Sequence, residues 1–370
     1  MKSKITKPKE WYNLGIIAYC NGPTFTEKDY YRNLTLVGRK VGIRVFVFSP
    51  RQVDFDSRTT IGYEFKNGVW QTHTFPLPPL IYDRCFMGPA YRNYKPFIEK
   101  LQNDPKIMFM GRGLSGKWEV YKMLECLPEI TKWLPDTKPL AISEMMERLK
   151  SNETVVIKPM SGTHGYGVVR FAKGGNGYEA TGRARRTNVP FRRSFKSLAQ
   201  VRQFVTSFTA GLNFIIQPYL SLSTRNGVPF DVRVLVQKNG SGEWQTTGKA
   251  VRLGNKESIT SNLHGGGHAA PLSSFLAANF SSSQTAMIET EINALVSVLP
   301  PALEKHHGSL FELGIDIGVD QQGRVWLIEV NSRPGRAVFR MIDDSTARLR
   351  AVTQPISYAN YLMKERVGGY

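Results

Sequence analysis

Asp316, Glu329 and Asn331 are three oxygen-bearing side chains at a spacing that could hold a cation. They lie in the stretch from Gly314 to Gly335, which reads as two apolar strands joined by the polar turn Asp320-Gln321-Gln322-Gly323. Period-two alternation sends Glu329 and Asn331 to one face, and Ile328 and Val330 to the other. A hairpin of this length brings Asp316 opposite the first pair. Carboxylate and amide oxygens meeting at one point suit a hard cation such as Mg²⁺. The same pattern also describes an edge hairpin with a wet polar face, and this stretch alone does not choose between the two.

A second constellation is cationic. Lys158 ends an apolar run, Thr154-Val155-Val156-Ile157, and precedes a loop carrying Gly162, Gly165 and Gly167. Glycines let backbone amides cradle phosphate oxygens, and a lysine supplies the point charge beside them. The bland counterpart is a glycine-rich hairpin of no special role. Gly111-Arg112-Gly113-Leu114-Ser115-Gly116-Lys117-Trp118 nearly spells a P-loop, but Trp118 occupies the hydroxyl position and only a short apolar run precedes it. We reject that reading. Lys117 nonetheless falls at the start of a helical pattern carrying Val120, Leu124 and Leu127, where a cation opposes the helix dipole unless an anion is near.

These residues need elements to position them. Leu14–Ala18, a helical stretch from Lys28 to Arg39, and Val41–Phe48 form a β-α-β pattern. Arg58–Thr74 reads as a hairpin turning at Asn67-Gly68, and Leu80–Arg84 as a strand with polar residues at its end, where Asp83-Arg84 fits a structural ion pair. Further helices are expected over Ser143–Lys150, capped by Ser143, over Leu198–Phe208, and over Ser283–Leu299, stopped by Pro300-Pro301. Asp231 and Arg233 share the polar face of an alternating strand. His264 and His268 are four apart, but three glycines between them speak against a zinc-binding helix. The tail from Arg336 to Tyr370 closes on a docking helix through Ile356, Ala359 and Met363.

Composition sets the frame. The chain has 370 residues, room for several subdomains, and 49 basic against 30 acidic residues give a net charge of +19. That balance favours polyanionic partners: nucleotide, nucleic acid, anionic lipid or an acidic polymer. Arg183, Arg185, Arg186, Arg192, Arg193 and Lys196, interleaved with Phe191 and Phe195, could bind nucleic acid, although such blocks are more often solvated loops. Cys20, Cys85 and Cys126 form neither a CxxC pair nor a disulfide framework, and with no apolar run of membrane-spanning length the expectation is a cytoplasmic protein with free thiols.

The order of these pieces is specific. Ser115-Gly116-Lys117-Trp118-Glu119-Val120-Tyr121, Val156-Ile157-Lys158-Pro159 with its glycine loop, Phe230-Asp231-Val232-Arg233, and Glu329-Val330-Asn331-Ser332-Arg333-Pro334-Gly335 together resemble the ATP-grasp superfamily. Among its members the chain looks like the YheC/YheD family of spore-coat-associated proteins, over nearly its whole length. The resemblance implies an α/β and α+β fold: an N-terminal pre-ATP-grasp α/β domain over 1–112, then a two-subdomain ATP-grasp fold. Its A subdomain would span 113–216 and its B subdomain, with the Mg site, 217–350, followed by a helical tail over 351–370. It further implies that Lys117 and Lys158 bind ATP phosphates, and that Ser161, Gly162, Gly165 and Gly167 fold over them. Gln217, Pro218, Tyr219 and Leu220 would hold adenine, and Asp316, Glu329 and Asn331 would hold Mg²⁺. Arg233, Arg252, Asn262 and Arg333 would face the reacting phosphate. The activity so implied is ATP-dependent joining of a carboxylate, acidic given the charge, to an amine. Small-molecule phosphorylation and a non-catalytic, RNA-binding spore protein are the alternatives.

Overall fold

The computed structural model describes residues 12–86, 90–160, 165–254 and 267–368. Three sheets carry the architecture. In the first, Tyr12–Ile17 lies parallel to Ile43–Asp54 on one side and to Leu80–Asp83 on the other, with helix Lys28–Lys40 as the first crossover. The hairpin Thr59–Lys66/Val69–Pro76 extends one edge, turning at Asn67 and Gly68 with φ of 52° and 84°. Two successive left-handed residues are what a tight hairpin turn of this hand demands.

The second sheet is antiparallel, in the order Pro190–Phe195, Gly177–Arg183, Val169–Gly174, Val155–Pro159, Phe214–Pro218, Lys138–Pro139. Helices Ile142–Lys150 and Leu198–Thr209 cover one face, around a core holding Val155, Ile157, Phe171 and Ile216. Ser197 caps the second helix as its side chain accepts from the Gln200 amide. The first helix starts one residue before the expected cap: Ala141 holds the cap position without a side-chain bond, so Ser143 lies inside the helix.

The third sheet runs His268–Pro271, Trp244–Leu253, Phe230–Lys238, Glu312–Val319, Val325–Asn331, all antiparallel. Val232, Val234 and Val236 point into a core shared with helix Ser282–His307. That helix does not stop at Pro300-Pro301 but runs through them. Proline inside a helix forfeits a backbone bond; here the extra turns bury Leu303 completely, which offsets the loss. Helix Lys117–Glu125 packs Val120 and Leu124 into this same core, so residues 114–133 share apolar packing with the third sheet.

Helix Ser345–Gly368 joins the first and third sheets. Its Ala347 and Ala351 pack on Leu235 and Ala250, while Ile356, Ala359 and Met363 enter the N-terminal core. Among the described residues no helix is long and apolar enough to cross a membrane.

Candidate active site

The hairpin forms as its sequence suggests, with one departure. Strands Glu312–Val319 and Val325–Asn331 turn at Asp320, whose carboxylate accepts from the amides of Gln322 and Arg324, and at Gly323 with φ 87°. Asp316 lies directly opposite Glu329, and Gly314 opposite Asn331. On the turn side of Asp316 the next pair is Ile317 with Leu327, so Ile328 is an extra residue in a bulge. Simple alternation places Ile328 on the core face. The bulge instead turns it over Gly318, where its Cδ1 lies 3.1 Å from the position a Cβ would take, and Ile328 lines a cavity.

That cavity, about 260 Å³, opens between the second and third sheets. Lys117, Lys158, Gln217, Glu329, Asn331 and Arg333 all line it, above an apolar floor that includes Val120, Leu134, Ile215 and Leu327. Gly116, extended at φ −61° and ψ 163°, sets Lys117 as the first residue of its helix. The anion that a cation there requires is Glu329, whose Oε2 is 3.1 Å from Lys117 Nζ. Lys158 reaches the cavity because Val155 and Ile157 take the buried face of its strand. Burial and then repulsion from Lys117, against attraction by Glu329, lower the Lys158 pKa to about 8. The wall thus carries three cations, Lys117, Lys158 and Arg333, and one carboxylate, Glu329, an arrangement that favours a further anion.

Asp316 sits beside this wall and not on it. Arg233 Nε is 2.5 Å from its Oδ1 and Arg252 Nη2 is 3.0 Å from its Oδ2. Arg252 also donates to both oxygens of Asp231, at 2.6 and 2.7 Å. Burial alone would raise the Asp316 pKa, but the two guanidiniums hold it below the ordinary carboxylate value. Asp231 and Arg233 therefore share a face as expected, yet each pairs across strands and not with the other.

Asp83 and Arg84 likewise do not pair together. Asp83 takes Arg333, which in turn needs Gly113: a Cβ there would lie 2.6 Å from Arg333 Nη2. Arg84 is fully buried and donates to Glu27 at 2.7 Å, to Glu312 at 2.9 Å and to the Pro334 carbonyl at 3.2 Å. Tyr82 and Arg336 complete the cluster around Glu312. Ser332 Oγ accepts from the Leu114 amide at 2.8 Å. The segment following Asn331 is thus tied to the N-terminal sheet by charged contacts, which positions Arg333 on the cavity wall.

Of the other expected site residues, Ser161, Gly162 and Asn262 lie outside the described residues, as does His264. Gly165 and Gly167 are left-handed, at φ 75° and 71°, but are not on the cavity wall. In the expected adenine hinge only Gln217 lines the cavity; its Nε2 donates to Thr137 Oγ1 at 2.5 Å, while the Tyr219 amide goes to the Thr154 carbonyl. Pro218 and Leu220 are half-buried and off the wall. Sequence reasoning missed Thr137, Pro135 and Phe86, which also line the cavity and belong to no motif, and gave no role to Tyr121, a wall residue at the end of the Ser115–Tyr121 motif.

The cation-holding reading rests on two carboxylates and an amide, since among the described residues no three His, Cys, Asp or Glu side chains converge on a metal position. The donors are all oxygens on adjoining strands, the chemistry Mg²⁺ takes. Their negative charge is matched by Lys117, Arg233 and Arg252. The aromatic members of the basic block turn inward: Phe191 and Phe195 pack on Phe204, while Arg186, Arg192 and Arg193 are exposed and Arg183 and Arg185 half-buried.

Comparison with known proteins agrees with this arrangement. The chain is 31% identical over 351 residues to the endospore coat-associated protein YheC of Bacillus subtilis (strain 168), covering 92% of this chain and 94% of that one. Its fold is similar to that of the D-cycloserine synthetase DcsG, with a TM-score of 0.54 at 14% identity, covering 93% of this chain and 99% of that one. The D-alanine-D-alanine ligase from Coxiella burnetii aligns with a TM-score of 0.52 at 11% identity over 97% of each chain. The family described as YheC/D like ATP-grasp matches residues 106–362. With a match over most of its length, the chain belongs to the YheC/D-like ATP-grasp family.

Proposed function

We propose that this protein is an ATP-dependent, ADP-forming ligase that couples a carboxylate to an amine. The observation that carries the reading is the convergence of Lys117, Lys158, Glu329, Asn331 and Arg333 on one cavity between two sheets. Lys117 and Lys158 bind the ATP phosphates. Gln217 begins the adenine hinge that continues through Pro218, Tyr219 and Leu220, and the loop of Ser161, Gly162, Gly165 and Gly167 closes over the phosphates. Asp316, Glu329 and Asn331 would hold Mg²⁺, which when bound offsets phosphate charge.

In the first step a substrate carboxylate oxygen attacks the γ-phosphorus and the bond to ADP breaks, giving an acyl-phosphate. In the second an amine nitrogen attacks the acyl carbon, phosphate leaves with the C–O bond electrons, and the amine proton passes to solvent or phosphate. Arg233, Arg252, Asn262 and Arg333 stabilise the charge that builds on the transferred group. No protein nucleophile is required; catalysis is positioning and charge neutralisation. The likeness to YheC supports a spore-associated setting, and the basic surface supports an acidic carboxylate substrate.

The test is an ADP-release screen against amino acids and short acidic peptides, with mass spectrometry of the products. Release of ADP together with phosphate and a condensed product supports the ligase. ADP without phosphate, with a phosphorylated acceptor, would identify a kinase. ATP turnover unchanged by Glu329→Ala would overturn the site assignment.

A further inference from the structure

The positive charge is concentrated. Residues 138–218 hold 13 basic and 4 acidic side chains, so this segment supplies +9 of the chain's +19. No acidic residue occurs between Glu179 and Asp231. The outermost strand of the second sheet, Pro190–Phe195, lies inside that acid-free span.

Three features of this strand go beyond charge. It is an edge: Gly177–Arg183 pairs with it on one side, and among the described residues no strand pairs on the other. Alternate backbone amide and carbonyl groups of such an edge are open to another extended chain. Its aromatic side chains are already used, because Phe191 and Phe195 pack inward on Phe204. What remains outside is Arg192, Arg193 and Lys196, with the exposed Val189 just before the strand. Lastly, the cross-strand ladder Val156, Arg170, Thr181, Arg192 puts Arg192 on the same face of the sheet as Lys158. The sheet face that carries Lys158 therefore runs from the cavity to the basic edge.

We propose that strand Pro190–Phe195 is a docking edge for an acidic, extended polypeptide, which adds to the sheet as a further strand with its carboxylates on Arg186, Arg192 and Arg193. Arg186 and Arg193 are exposed, Arg193 with its guanidinium carbon 5.2 Å from the Phe204 ring centre, and among the described residues Arg192 meets only Glu179, at 2.9 Å with its side chain 71% exposed, so all three can take new anions. A polypeptide fits better than a nucleic acid. Sequence-tolerant nucleic-acid binding needs exposed aromatic stacking platforms, and the aromatics of this edge are turned into the core. A polypeptide instead matches the free backbone groups and the exposed valine, with main-chain bonds giving affinity and charge giving selectivity. The proposal stands independently of ATP turnover.

The probe is a fluorescent decapeptide, valine-glutamate-glutamate-valine-valine-glutamate-glutamate-valine-valine-glutamate, whose glutamates fall on both faces of a strand as Arg192 and Arg193 do, titrated without nucleotide into the full-length protein. Two controls accompany it: the same length of alternating glutamate and proline, which keeps the charge but cannot form a strand, and a ten-nucleotide oligouridylate. Binding of the glutamate-valine peptide at least tenfold tighter than either control is expected. The Arg186→Ser/Arg192→Ser/Arg193→Ser variant should weaken it at least tenfold, with an unchanged circular dichroism spectrum and an unchanged ADP-induced thermal shift. Equal binding of both peptides would reduce the surface to unspecific charge and overturn the proposal. Tighter binding of the oligouridylate, or no binding of the glutamate-valine peptide, would overturn it as well.

Discussion

Lys158→Met should make the protein more stable while impairing nucleotide binding. Burial, with Lys117 adding repulsion, lowers the Lys158 pKa to about 8 from an ordinary 10.5. That gap corresponds to about 3 kcal/mol at neutral pH. The side chain is half-buried at the wall of an open cavity, so water reduces the figure, and a gain of about 1–3 kcal/mol is expected. The sign follows from proton binding: between pH 8 and 10.5 the unfolded chain holds the lysine proton more tightly than the folded one. Wild-type stability therefore rises across that window relative to the methionine variant, and the penalty is fully present below pH 8. Urea denaturation of both proteins at pH 7 and at pH 10 measures it: the variant is more stable at the lower pH, and the difference shrinks at the higher. ADP, titrated by thermal shift, should bind the variant at least tenfold more weakly, because the proposed phosphate partner has been removed. A variant less stable than wild type at pH 7, or a difference that does not change with pH, would refute the description of Lys158 as a desolvated cation awaiting an anion.

Glu329→Ala should reduce ATP turnover about 100-fold or more, by steady-state ADP release, since it removes a cavity-wall carboxylate and the partner of Lys117. Arg84→Met should destabilise the fold by about 3–5 kcal/mol in chemical denaturation, leaving Glu27 and Glu312 without their buried cation. Acid should destabilise the protein as well. The carboxyls of Asp316 and Glu27 are favoured protonated by burial but held below their ordinary values by Arg233, Arg252 and Arg84. Their contribution is present above the ordinary carboxylate pKa and is lost as pH falls below about 4, which a pH series of melting temperatures reads directly. Gly177→Ala should cost about 1–3 kcal/mol and loosen the edge strand in hydrogen exchange, because φ is 154° and a Cβ would lie 2.1 Å from the Phe195 carbonyl oxygen.

Local chemistry was legible wherever one strand or one turn decides it. The turn at Asn67-Gly68, the hairpin through Asp320 and Gly323, the helix from Leu198 and the placing of Lys117 at a helix start all follow from short-range rules that the fold leaves intact. Lys117, Lys158, Glu329 and Asn331, expected from the order of their motifs to serve one nucleotide site, line one cavity. What the sequence could not decide are the pairings between distant strands. Asp83 and Arg84 are adjacent, yet strand alternation sends one to Arg333 and the other to Glu27 and Glu312. Helix Ser282–His307 continues past two prolines because burial of Leu303 outweighs a local rule. The bulge that turns Ile328 into the cavity depends on register against Ile317 and Leu327, and register belongs to the sheet, not to the strand. Residue types and their order therefore determined the chemistry available to this protein. Tertiary packing decided which charges meet, because ion pairs are made by residues as far apart as Arg333 and Asp83, or Arg336 and Glu27.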